Sequence, residues 1–534
     1  MTQLCVAILV KDLAQAQRDA IAAAESGADM VELRIDTFND RDQLRTVLQS
    51  VSLPAIVTCR PTWEGGHCEL AEPDRLGLLE LAATSGAAYI DVELETYRRD
   101  PTLGDINSAI PRDKRAGMII STHDFNGRPP RLTNLVAETE QSAGDVNKIV
   151  WTARTVRDNL EAFEILAQPT KPTIALCMGE AGLISRVLAK KFGAFLAFAS
   201  LRKMEVTAPG QVSIDEMKRL YRWDKLGRDT KVYGVVGSPV GHSMSPALHN
   251  AAFDQTGYDG IYLPLLVNEG YESFKAFMES FLAFAPLDLS GLSVTIPHKE
   301  NALRYLCERG AEIDPLAVSI GAVNTIVVDR PAKPTGSAVG HSAEVPIKLR
   351  GLNTDYGAIL DSITSKLGIS REGLAGARVA VIGAGGTGRT AVAALAHYGT
   401  TVVVYNRTRV RADALAAEFN GKTGKVVAAP LEKLCDSCCQ IYLNTTSVGM
   451  HPNVDGSAFG QTPPKLSPDT LVFDTVYNPM RTKLIEQAEA AGAPTLGGIE
   501  MFVRQAVAQF EAWTKLRAPV ELMRSVVEAR LATT

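Results

Sequence analysis

The chain carries two sets of chemically active residues, one after the other, and each set is complete by itself. The first occupies the sequence up to about Leu220, where short apolar segments end in charged residues. The second starts near Lys231 and combines polar residues with a glycine-rich turn, Gly383-Ala-Gly-Gly-Thr-Gly-Arg389. Two such sets on one chain predict two consecutive reactions.

Length and composition exclude several classes of protein. A chain of 534 residues is long enough for several domains, each with its own core. The net charge of −5 comes from mixed charges without a basic stripe, so we expect no nucleic-acid partner. The first strand is predicted to begin at Leu4, which leaves no room for a targeting peptide, and no apolar run reaches membrane-spanning length. We therefore expect a cytoplasmic protein with small-molecule partners and no membrane contact; the sequence does not determine its oligomeric state.

The eight cysteines do not follow the spacing of a disulfide framework, which favours a reduced, cytosolic chain. Cys435-Asp-Ser-Cys438-Cys439 has a CxxC core, but neither a second pair nor a histidine cluster completes a zinc site. Cys59, His67 and Cys68 are equally incomplete. We expect no metal.

The first 200 residues predict a (β/α)₈ TIM barrel, because eight apolar, β-branched segments are separated by helix-length stretches. The predicted strands are Leu4–Val10, Met30–Ile35, Ala55–Cys59, Ala88–Val92, Gly117–Ser121, Lys148–Thr152, Thr173–Cys177 and Phe195–Ala199. Charged residues close five of them, at Glu32 to Asp36, Arg60, Glu93, His123-Asp124 and Lys148. Strand ends of this kind point at the active-site face of such a barrel.

Lys148 is the candidate nucleophile of the first set, at the predicted start of the sixth strand. Burial in an apolar barrel lowers a lysine pKa, which frees an amine that can attack a ketone and form an imine. His123, one strand earlier, is the candidate proton carrier because histidine titrates near working pH. The alternative is a purely structural ion pair between Lys148 and Glu32.

The same residues resemble type I 3-dehydroquinate dehydratase over residues 3–220. The motifs that carry this resemblance are Glu32-Leu-Arg-Ile-Asp36, Thr58-Cys-Arg60 with Glu64-Gly-Gly66, Ser121 to Phe125, Asn147-Lys148-Ile149, Ile184-Ser-Arg186 and Ala208-Pro-Gly-Gln211. The resemblance implies a Schiff base at Lys148 and proton transfer by His123, which Glu64 orients. It also implies that Arg186 holds the substrate carboxylate. It further implies that Glu32, Arg34, Arg60 and Gln211 contact the ring hydroxyls. At position 207 many members have serine, whereas this chain has Thr207.

The second half predicts a smaller α/β domain and a nucleotide-binding domain, linked to the barrel by a polar connector at Leu220–Thr230. The strand Arg378–Ile382, the glycine turn, a helix through His397 and the strand Thr401–Tyr405 form a βαβ unit. That context makes the turn a dinucleotide-binding motif, with the helix N-terminus receiving the pyrophosphate. Pro331–Arg350, rich in proline, glycine and serine, is predicted to be an inserted surface loop.

Lys299 and Asp355 are the candidate catalytic pair of the second half. Lys299 follows a buried strand that breaks at proline, and Asp355 enters a helix. Such a pair beside a nucleotide cleft can hold a hydroxyl and pass its proton as hydride moves. The alternative is an ordinary surface ion pair. Ser243 and Ser245 offer two hydroxyls to a carboxylate, although they could equally cap a helix before Pro246.

Charge after the second nucleotide-binding strand indicates the cofactor. An NAD site usually has a carboxylate there for the ribose 2′-hydroxyl, whereas this chain has Asn406-Arg407-Thr408, followed by Arg409 and Arg411. Arginine can hold a 2′-phosphate in bidentate fashion, so the sequence predicts NADP (NADPH).

Residues 232–530 resemble shikimate dehydrogenase. The motifs are Gly234–Pro246, Ser293–Lys299, Gly321 to Thr325, Asn353-Thr-Asp355, the glycine turn, Asn444 to Met450, Phe473–Pro479 and Gly498–Gln505. The resemblance implies catalysis by Lys299 and Asp355, with shikimate surrounded by Ser243, Ser245, Thr295, Asn324, Tyr477 and Gln505. The predicted cofactor residues are Gly383, Ala384, Gly385, Gly386, Thr387, Gly388, Asn406, Arg407, Thr408, Arg411, Thr445, Ser447 and Gly498.

The two resemblances together imply a bifunctional enzyme of the shikimate pathway, whose domain order and Tyr356 are similar to the fused enzyme best known from plants. It would dehydrate 3-dehydroquinate to 3-dehydroshikimate and reduce that ketone to shikimate with NADPH. A catabolic, NAD-linked quinate/shikimate dehydrogenase fusion and a non-catalytic metabolite-sensing regulator are the alternatives. We expect the barrel at residues 1–222, the shikimate-binding domain at 231–358, completed by helices at about 499–530, and a Rossmann NADP-binding domain at 374–498.

Overall fold

The computed structural model describes residues 2–100, 103, 115–202, 210–330, 347–421 and 424–532. The chain divides into two compact units. The first contains residues 1–231, 265–268 and 277–288, and the second contains residues 232–264, 269–276 and 289–534. Thr207 and most of the predicted insertion, residues 331–346, lie outside the described residues. None of the helices in the described ranges is both long and apolar enough to cross a membrane.

The first unit contains an eight-stranded parallel sheet that curls into a barrel. Its strands are β1 Gln3–Leu9, β2 Met30–Arg34, β3 Ala55–Thr58, β4 Tyr89–Glu93, β5 Gly117–Asp124, β6 Val146–Thr152, β7 Thr173–Met178 and β8 Leu196–Ser200. Their order in the sheet is β7-β6-β5-β4-β3-β2-β1-β8. The amide of Phe195, just before β8, donates to the carbonyl of Thr173 in β7, so the two ends of the sheet meet. The predicted barrel is confirmed.

Helices follow most of these strands. Those described are Leu13–Glu25, Arg41–Ser50, Glu72–Thr84, Leu94–Arg99, Leu132–Gln141, Asp158–Ala167 and Leu183–Val187. The helix Leu13–Glu25 begins where the Asp12 side chain accepts from the amide of Gln15, and Arg41–Ser50 is capped by Asp40 in the same way. These caps satisfy amides that the first helical turn leaves without partners.

Alternation along the strands explains how charged groups reach the barrel interior. Val146 and Val150 of β6 belong to a buried apolar cluster that takes residues from most of the barrel strands. Because side chains alternate between faces with a period of two, Lys148 lies on the same inward face, between these two valines. The sequence predicted that Lys148 begins its strand. In the structure Lys148 is the third residue of β6.

The segment that was predicted to be a polar connector, Leu220–Thr230, contains buried apolar residues. It begins at the end of a π-helical turn, Glu216–Leu220, and contains a 3₁₀ turn at Trp223–Lys225. Trp223 and Leu226 are buried, and Lys190 donates to the carbonyl of Trp223. Apolar burial therefore packs this segment against the first unit.

The second unit contains two six-stranded sheets. The first is mixed, and its order is β10-β9-β11-β13-β14-β12. Its strands are β9 Lys231–Gly237, β10 Gly260–Leu266, β11 Leu289–Val294, β12 Glu312–Ile313, β13 Thr325–Asp329 and β14 Lys348–Leu352. The strand β14 includes residues 348–350, which were predicted to be part of an inserted loop; they pair antiparallel with β13 instead.

The second sheet is fully parallel and has the order β17-β16-β15-β18-β19-β20. Its strands are β15 Arg378–Ile382, β16 Thr401–Tyr405, β17 Lys425–Ala429, β18 Ile441–Asn444, β19 Leu471–Asp474 and β20 Thr495–Leu496. This is the strand order 3-2-1-4-5-6 of a Rossmann fold, in which ligands bind beyond the carboxyl ends of the strands near β15.

The remaining helices belong to the second unit, except that residues 277–283 of one of them, Tyr271–Ala283, belong to the first unit. They are Ser245–Thr256, Tyr271–Ala283, Lys299–Glu308, Pro315–Ile320, Thr354–Leu367, Gly386–His397, Arg409–Phe419, Lys483–Ala490, Gly498–Thr514 and Val520–Ala532. The alanine-rich helix Gly386–His397 packs in the same apolar cluster as Val379 and Val381 of β15. Tyr356 also packs in this cluster, so its ring is part of the core.

Candidate active sites

A cavity in the barrel is lined by the residues predicted for the first site. Every predicted residue of that site that the structure describes lines it: Glu32, Arg34, Arg60, Glu64, His123, Lys148, Arg186 and Gln211. They come from separate strands and loops at the carboxyl ends of the barrel strands, where the active sites of such barrels lie. The structure therefore brings together residues that are up to 179 positions apart, from Glu32 to Gln211.

Two carboxylates hold the amine of Lys148, whose side chain is 5% exposed. Its Nζ lies 2.8 Å from Oδ2 of Asp91 and 3.3 Å from Oε1 of Glu32. The ring of Phe198 lies 4.7 Å from the same nitrogen. The ion pair with Glu32 that the sequence suggested exists, but the nearer partner is Asp91, which the sequence analysis missed.

Asp91 also binds Arg60. Its Oδ1 accepts from Nη2 of Arg60 at 2.7 Å and from the hydroxyl of Ser121 at 2.6 Å. Burial by itself raises the pKa of Asp91, but Arg60 and Lys148 outweigh burial and hold that pKa well below its usual range. A sequence signal for Asp91 existed, because Glu93 was a candidate and the residue two positions earlier in a strand shares its face.

Both terminal nitrogen atoms of Arg60 donate to protein groups. Its Nη1 donates to Oε1 of Glu93 at 2.7 Å and to Ser121 at 2.8 Å. Glu93 in turn pairs with the buried Arg75 at 2.9 Å. Arg60 thus organises the carboxylates beneath Lys148, in addition to lining the cavity.

Glu64 and His123 form the second element of the site. Oε1 of Glu64 lies 2.8 Å from Nδ1 of His123. Burial, together with the nearby cations Arg60 and Lys148, lowers the pKa of His123 well below its ordinary value of 6.5. Burial raises the pKa of Glu64 to about 8, against the opposing effect of Arg60. Both groups are therefore mainly uncharged near pH 7, and the imidazole can accept a proton.

A glycine turn sets the position of Glu64. Glu64 ends the short 3₁₀ helix Thr62–Glu64, and Gly65 follows with a φ of +76°. A Cβ atom at Gly65 would lie 2.3 Å from the ring of Phe125, which follows β5. Gly65 therefore permits both the left-handed turn and the close approach of the two cavity-lining segments.

Arg186 is a cavity cation with two buried nitrogen atoms that have no hydrogen-bond partner. Its guanidinium is 2% exposed, and neither Nε nor Nη2 has a hydrogen-bond partner. Burial lowers its pKa to about 10. Arg34, by contrast, is held by Asp36 through two bonds of 3.0 and 2.6 Å. An unpaired guanidinium at a cavity wall is suited to an anionic ligand such as a carboxylate.

In the second unit, Lys299 and Asp355 form a close ion pair. Nζ of Lys299 lies 2.5 Å from Oδ2 of Asp355, and the side chains are 13% and 8% exposed. Lys299 is the first residue of the helix Lys299–Glu308, and Asp355 is the second residue of the helix Thr354–Leu367. The side chain of Asn353 caps this second helix at the amide of Tyr356. A Cβ atom at Gly386 of the glycine turn would lie 3.6 Å from Cδ of Lys299. The pair is therefore not an isolated surface pair, because it borders the nucleotide turn.

Backbone groups determine how the side chain of Asn324 is oriented. The amide of Thr354 donates to Oδ1 of Asn324 at 2.8 Å, and the hydroxyl of Thr325 lies 2.7 Å from the same oxygen. Because a backbone amide can only donate, this atom is the oxygen, and Nδ2 is the donor. Nδ2 donates one hydrogen to the hydroxyl of Thr354 at 3.0 Å, which leaves its second hydrogen to donate to a ligand.

A buried hydrogen-bond network connects Asn324 with Ser245. Nε2 of Gln509 donates to Thr325 at 3.0 Å, and its Oε1 accepts from Ser293 at 2.8 Å. Tyr262 bonds to Ser293 at 2.6 Å and also to the side chain of Ser245. The sequence analysis missed Tyr262, Ser293 and Gln509, because their role depends on helix and sheet packing.

The other predicted substrate residues occupy neighbouring segments. Ser245 begins a helix whose N-cap is Met244, without a side-chain cap bond, and the amide of Ser245 donates to Oγ of Ser243 at 3.2 Å. Tyr477 stacks on Phe502 at 4.7 Å, and Gln505 donates to the carbonyl of Phe502. Thr295 lies beside Gly237, where a Cβ atom would approach Cγ2 of the threonine to 2.4 Å.

The glycine turn has the geometry that a nucleotide site needs. Gly385 precedes the helix Gly386–His397, and a Cβ atom there would meet no atom within 4 Å. At Gly388 a Cβ atom would lie 2.3 Å from the carbonyl oxygen of Gly383, so only glycine fits. Open space at Gly385 next to the helix N-terminus can receive a pyrophosphate. Ala384 donates its amide to Asn406, and Thr445 donates to the carbonyl of Ile382.

The arginines after β16 differ in their availability. Arg409 bonds to Asp413 at 2.8 Å and to the carbonyl of Ala428 at 3.1 Å. Arg407 and Arg411 are exposed, and neither forms an ion pair with the described residues. No carboxylate stands at the end of β16, where Tyr405 is followed by Asn406. Gly498, the last predicted cofactor residue, begins the helix Gly498–Thr514.

Among the residues with described positions, no group of three or more His, Cys, Asp or Glu side chains is arranged to hold a metal ion. Cys59 and Cys68 are buried with their sulfur atoms 3.4 Å apart, and Cys438 is exposed.

Family models match successive parts of the chain. Type I 3-dehydroquinase matches residues 4–228, and the shikimate dehydrogenase substrate binding domain matches residues 235–326. Shikimate/quinate 5-dehydrogenase matches residues 366–450, and the shikimate 5′-dehydrogenase C-terminal domain matches residues 498–528.

Curated proteins match the chain in the same order. The chloroplastic bifunctional 3-dehydroquinate dehydratase/shikimate dehydrogenase of Arabidopsis thaliana is 39% identical over 97% of this chain and 83% of its own length. The shikimate dehydrogenase (NADP(+)) of Methanosarcina barkeri is 38% identical over 56% of this chain and 97% of its own. Among solved structures, the Thermus thermophilus shikimate 5-dehydrogenase in complex with NADP(H) and shikimate is 30% identical, covers 56% of this chain and 99% of its own, and has a TM-score of 0.45.

Proposed function

The chain belongs to the family of bifunctional 3-dehydroquinate dehydratase/shikimate dehydrogenases, and we propose that Lys148 and the Lys299–Asp355 pair are its two catalytic centres. The enzyme acts in the shikimate pathway as a lyase and as an NADP-dependent oxidoreductase. The barrel converts 3-dehydroquinate to 3-dehydroshikimate, and the second unit reduces this ketone to shikimate. The assignment of residues to individual steps is the proposal.

In the barrel, Lys148 forms a Schiff base with the substrate ketone. The observation that carries this assignment is its position as the one lysine among the described residues of the cavity wall, held by Asp91 and Glu32. The imine withdraws electrons from the adjacent carbon, whose proton passes to the uncharged imidazole of His123. The hydroxyl group on the next carbon then leaves as water after it receives a proton. Glu64 orients the imidazole throughout.

Arg186 binds the carboxylate of the substrate, because its two unused nitrogen donors need an anionic partner. Glu32, Arg34 and Gln211 line the same cavity and are proposed to contact the ring hydroxyls. Arg60 lines it too, although its donors already serve carboxylates. Thr207 stays a sequence-based proposal, since it lies outside the described residues.

In the second unit, Lys299 and Asp355 hold the oxygen atom that changes between ketone and alcohol. Lys299 donates a proton to this oxygen when the ketone is reduced, and Asp355 keeps the ammonium group in position. Asn324 donates to a ring hydroxyl through Nδ2, and Ser243 and Ser245 bind the carboxylate. Thr295, Tyr477 and Gln505 are proposed to complete the substrate site.

The cofactor is NADP, which supplies the hydride when it is bound at the glycine turn. Open space at Gly385 within the turn Gly383 to Gly388 leaves room for the pyrophosphate, and Asn406 and Thr445 contact this turn. Ser447 and Gly498 are proposed to contact the cofactor as well. Arg407 and Arg411 are proposed to hold the 2′-phosphate, because both are exposed and unpaired among the described residues. The absence of a carboxylate after Tyr405 disfavours the alternative of an NAD-linked catabolic enzyme.

The domain boundaries are also a proposal: a barrel at 1–222, a substrate domain at 231–358 with about 499–530, and a nucleotide domain at 374–498. The order of the sheets along the chain supports them. We also propose a cytoplasmic location, because the eight cysteines do not follow the spacing of a disulfide framework. Nucleic acid and membrane are not proposed as partners, because the charges are mixed, without a basic stripe, and no apolar run reaches membrane-spanning length.

A coupled assay tests the assignment. The purified chain, given 3-dehydroquinate and NADPH, should consume NADPH and form shikimate. Lys148→Ala should abolish this coupled reaction but should reduce added 3-dehydroshikimate at nearly the wild-type rate, because the two sites belong to separate compact units. Borohydride with substrate should trap a covalent adduct at Lys148 of the wild type. An adduct at another lysine would overturn the Schiff-base assignment.

A further inference from the structure

Asp91 divides its two oxygen atoms between different tasks. Oδ1 accepts from Arg60 at 2.7 Å and from Ser121 at 2.6 Å. Oδ2 accepts from Nζ of Lys148 at 2.8 Å. The side chain is wholly buried, so no solvent competes for either oxygen. One oxygen is therefore anchored by the protein, and the other faces the amine.

Formation of the Schiff base changes what the nitrogen of Lys148 can donate. An ammonium group and a ketone give an iminium ion and water: the C–N bond forms, the C–O bond breaks, and two ammonium protons leave with the oxygen. The nitrogen keeps one proton and the positive charge. A buried cation of this kind needs a single, well-placed negative acceptor.

Two carboxylates compete for that remaining proton, and the geometry separates them. Oε1 of Glu32 is farther from the nitrogen, at 3.3 Å, and already accepts from the hydroxyl of Thr58 at 2.9 Å. Oδ2 of Asp91 is nearer. We propose that Asp91 is the counter-ion of the iminium at Lys148, a catalytic role that rests on the proposed Schiff base.

The sharing of Asp91 with Arg60 suits this role. A carboxylate that interacted with the iminium alone would stabilise its positive charge strongly and would oppose the movement of electrons toward nitrogen. Hydrogen bonds from Arg60 and Ser121 to Asp91 reduce the negative charge that Asp91 presents to the iminium. The carboxylate therefore keeps the nitrogen protonated, and the nitrogen can still accept electrons. His123, Glu32, Arg60 and the buried thiol of Cys5 are other ionisable groups that interact with Lys148 or its carboxylate partners.

Glu93 provides a matched control for Asp91. Both acids are buried, lie on the same face of β4 and bond to Arg60 at 2.7 Å. Glu93 pairs with Arg75 instead of Lys148. Asp91→Asn and Glu93→Gln therefore each remove one negative charge from Arg60, but only the first removes it from the reacting nitrogen.

The experiment compares the two variants in the full-length chain. Asp91→Asn should lower the dehydratase kcat about tenfold to a hundredfold more than Glu93→Gln does, the loss expected for one charge-assisted bond. It should also slow borohydride trapping at Lys148 and move the alkaline limb of kcat to lower pH, because an iminium without its counter-ion loses its proton more readily. Equal losses in the two variants, with trapping unchanged, would overturn the counter-ion role.

Two further measurements keep the test decisive. Shikimate dehydrogenase activity and cooperative thermal unfolding establish that each variant is folded. If Asp91→Asn does not fold, Asp91→Glu is measured in its place. This variant keeps the negative charge, so the alkaline limb of its kcat should stay near that of the wild type. A folded Asp91→Glu whose alkaline limb moves to lower pH would contradict the proposal. Failure to trap any adduct at Lys148 of the wild type would instead overturn the Schiff base itself.

Discussion

The ammonium group of Lys299 lies 2.5 Å from the carboxylate of Asp355, although the two residues are 56 positions apart in the sequence. Each stands in the first turn of its own helix, Lys299–Glu308 and Thr354–Leu367. Both side chains are largely buried, so solvent screens their attraction only weakly. This geometry predicts that the two residues act as one unit.

Lys299→Ala should reduce turnover of 3-dehydroshikimate strongly and leave NADPH binding almost unchanged, because the ammonium group is proposed to act on the substrate oxygen. Asp355→Asn should give a similar defect. The double variant should be little worse than either single variant, since residues that act as a unit give non-additive losses. The steady-state rate of 3-dehydroshikimate reduction is measured at saturating NADPH for the wild type, the two single variants and the double variant. Fully multiplicative losses would show that the residues act independently, and unchanged dehydratase activity is the control.

Arg407→Ala should weaken NADPH binding much more than NADH binding, because it removes a cation proposed to contact the 2′-phosphate. One charge-assisted contact contributes roughly 1.5–3 kcal/mol, or about tenfold to a hundredfold in affinity. Arg409→Ala is the matched control, since Arg409 is already bonded to Asp413 and Ala428. Binding of both cofactors to each variant is measured by titration. Equal weakening of NADPH and NADH by Arg407→Ala would remove Arg407 from the 2′-phosphate site.

The acid limb of dehydratase kcat/KM should lie below pH 6.5. Burial, with Arg60 and Lys148 nearby, lowers the pKa of His123, so the imidazole stays neutral and able to accept a proton until the pH falls below that value. A second transition near pH 8 should belong to Glu64, whose pKa burial raises to about 8. It should disappear in Glu64→Gln. Rate measurements from pH 5 to 9 test both points, and an acid limb above pH 6.5 would contradict the assignment to His123.

Arg186→Met should stabilise the substrate-free barrel while it weakens substrate binding. Burial lowers the pKa of Arg186 to about 10, so the folded state at neutral pH contains a cation that the unfolded chain accommodates more easily. This corresponds to roughly 3 kcal/mol of lost stability, which the uncharged methionine would recover in part. Thermal unfolding without substrate and the KM for 3-dehydroquinate measure the two effects. A less stable variant would mean that Arg186 has protein partners in solution.

The barrel was predictable because its pattern is local. Apolar, β-branched segments marked the strands, and the charged residues in or after them, such as Glu32 and Lys148, marked the cavity. The glycine turn was recognisable for the same reason: Gly385 and Gly388 serve a conformation set by adjacent residues. The boundary of β6 was wrong by two residues, since a charged residue inside a buried strand resembles a strand end in sequence.

The sequence by itself determined the barrel and the nucleotide-binding fold and predicted candidate residues for the chemistry, because local apolar patterns and turn chemistry act over a few neighbouring positions. Only the tertiary structure decided which of them meet. Asp91 lies between Arg60 and Lys148, and Arg186 is left without a partner, because neighbouring strands and helices pack side chains that are far apart in the chain. The charge balance of a buried site depends on these distances and on the exclusion of water, neither of which a local pattern contains.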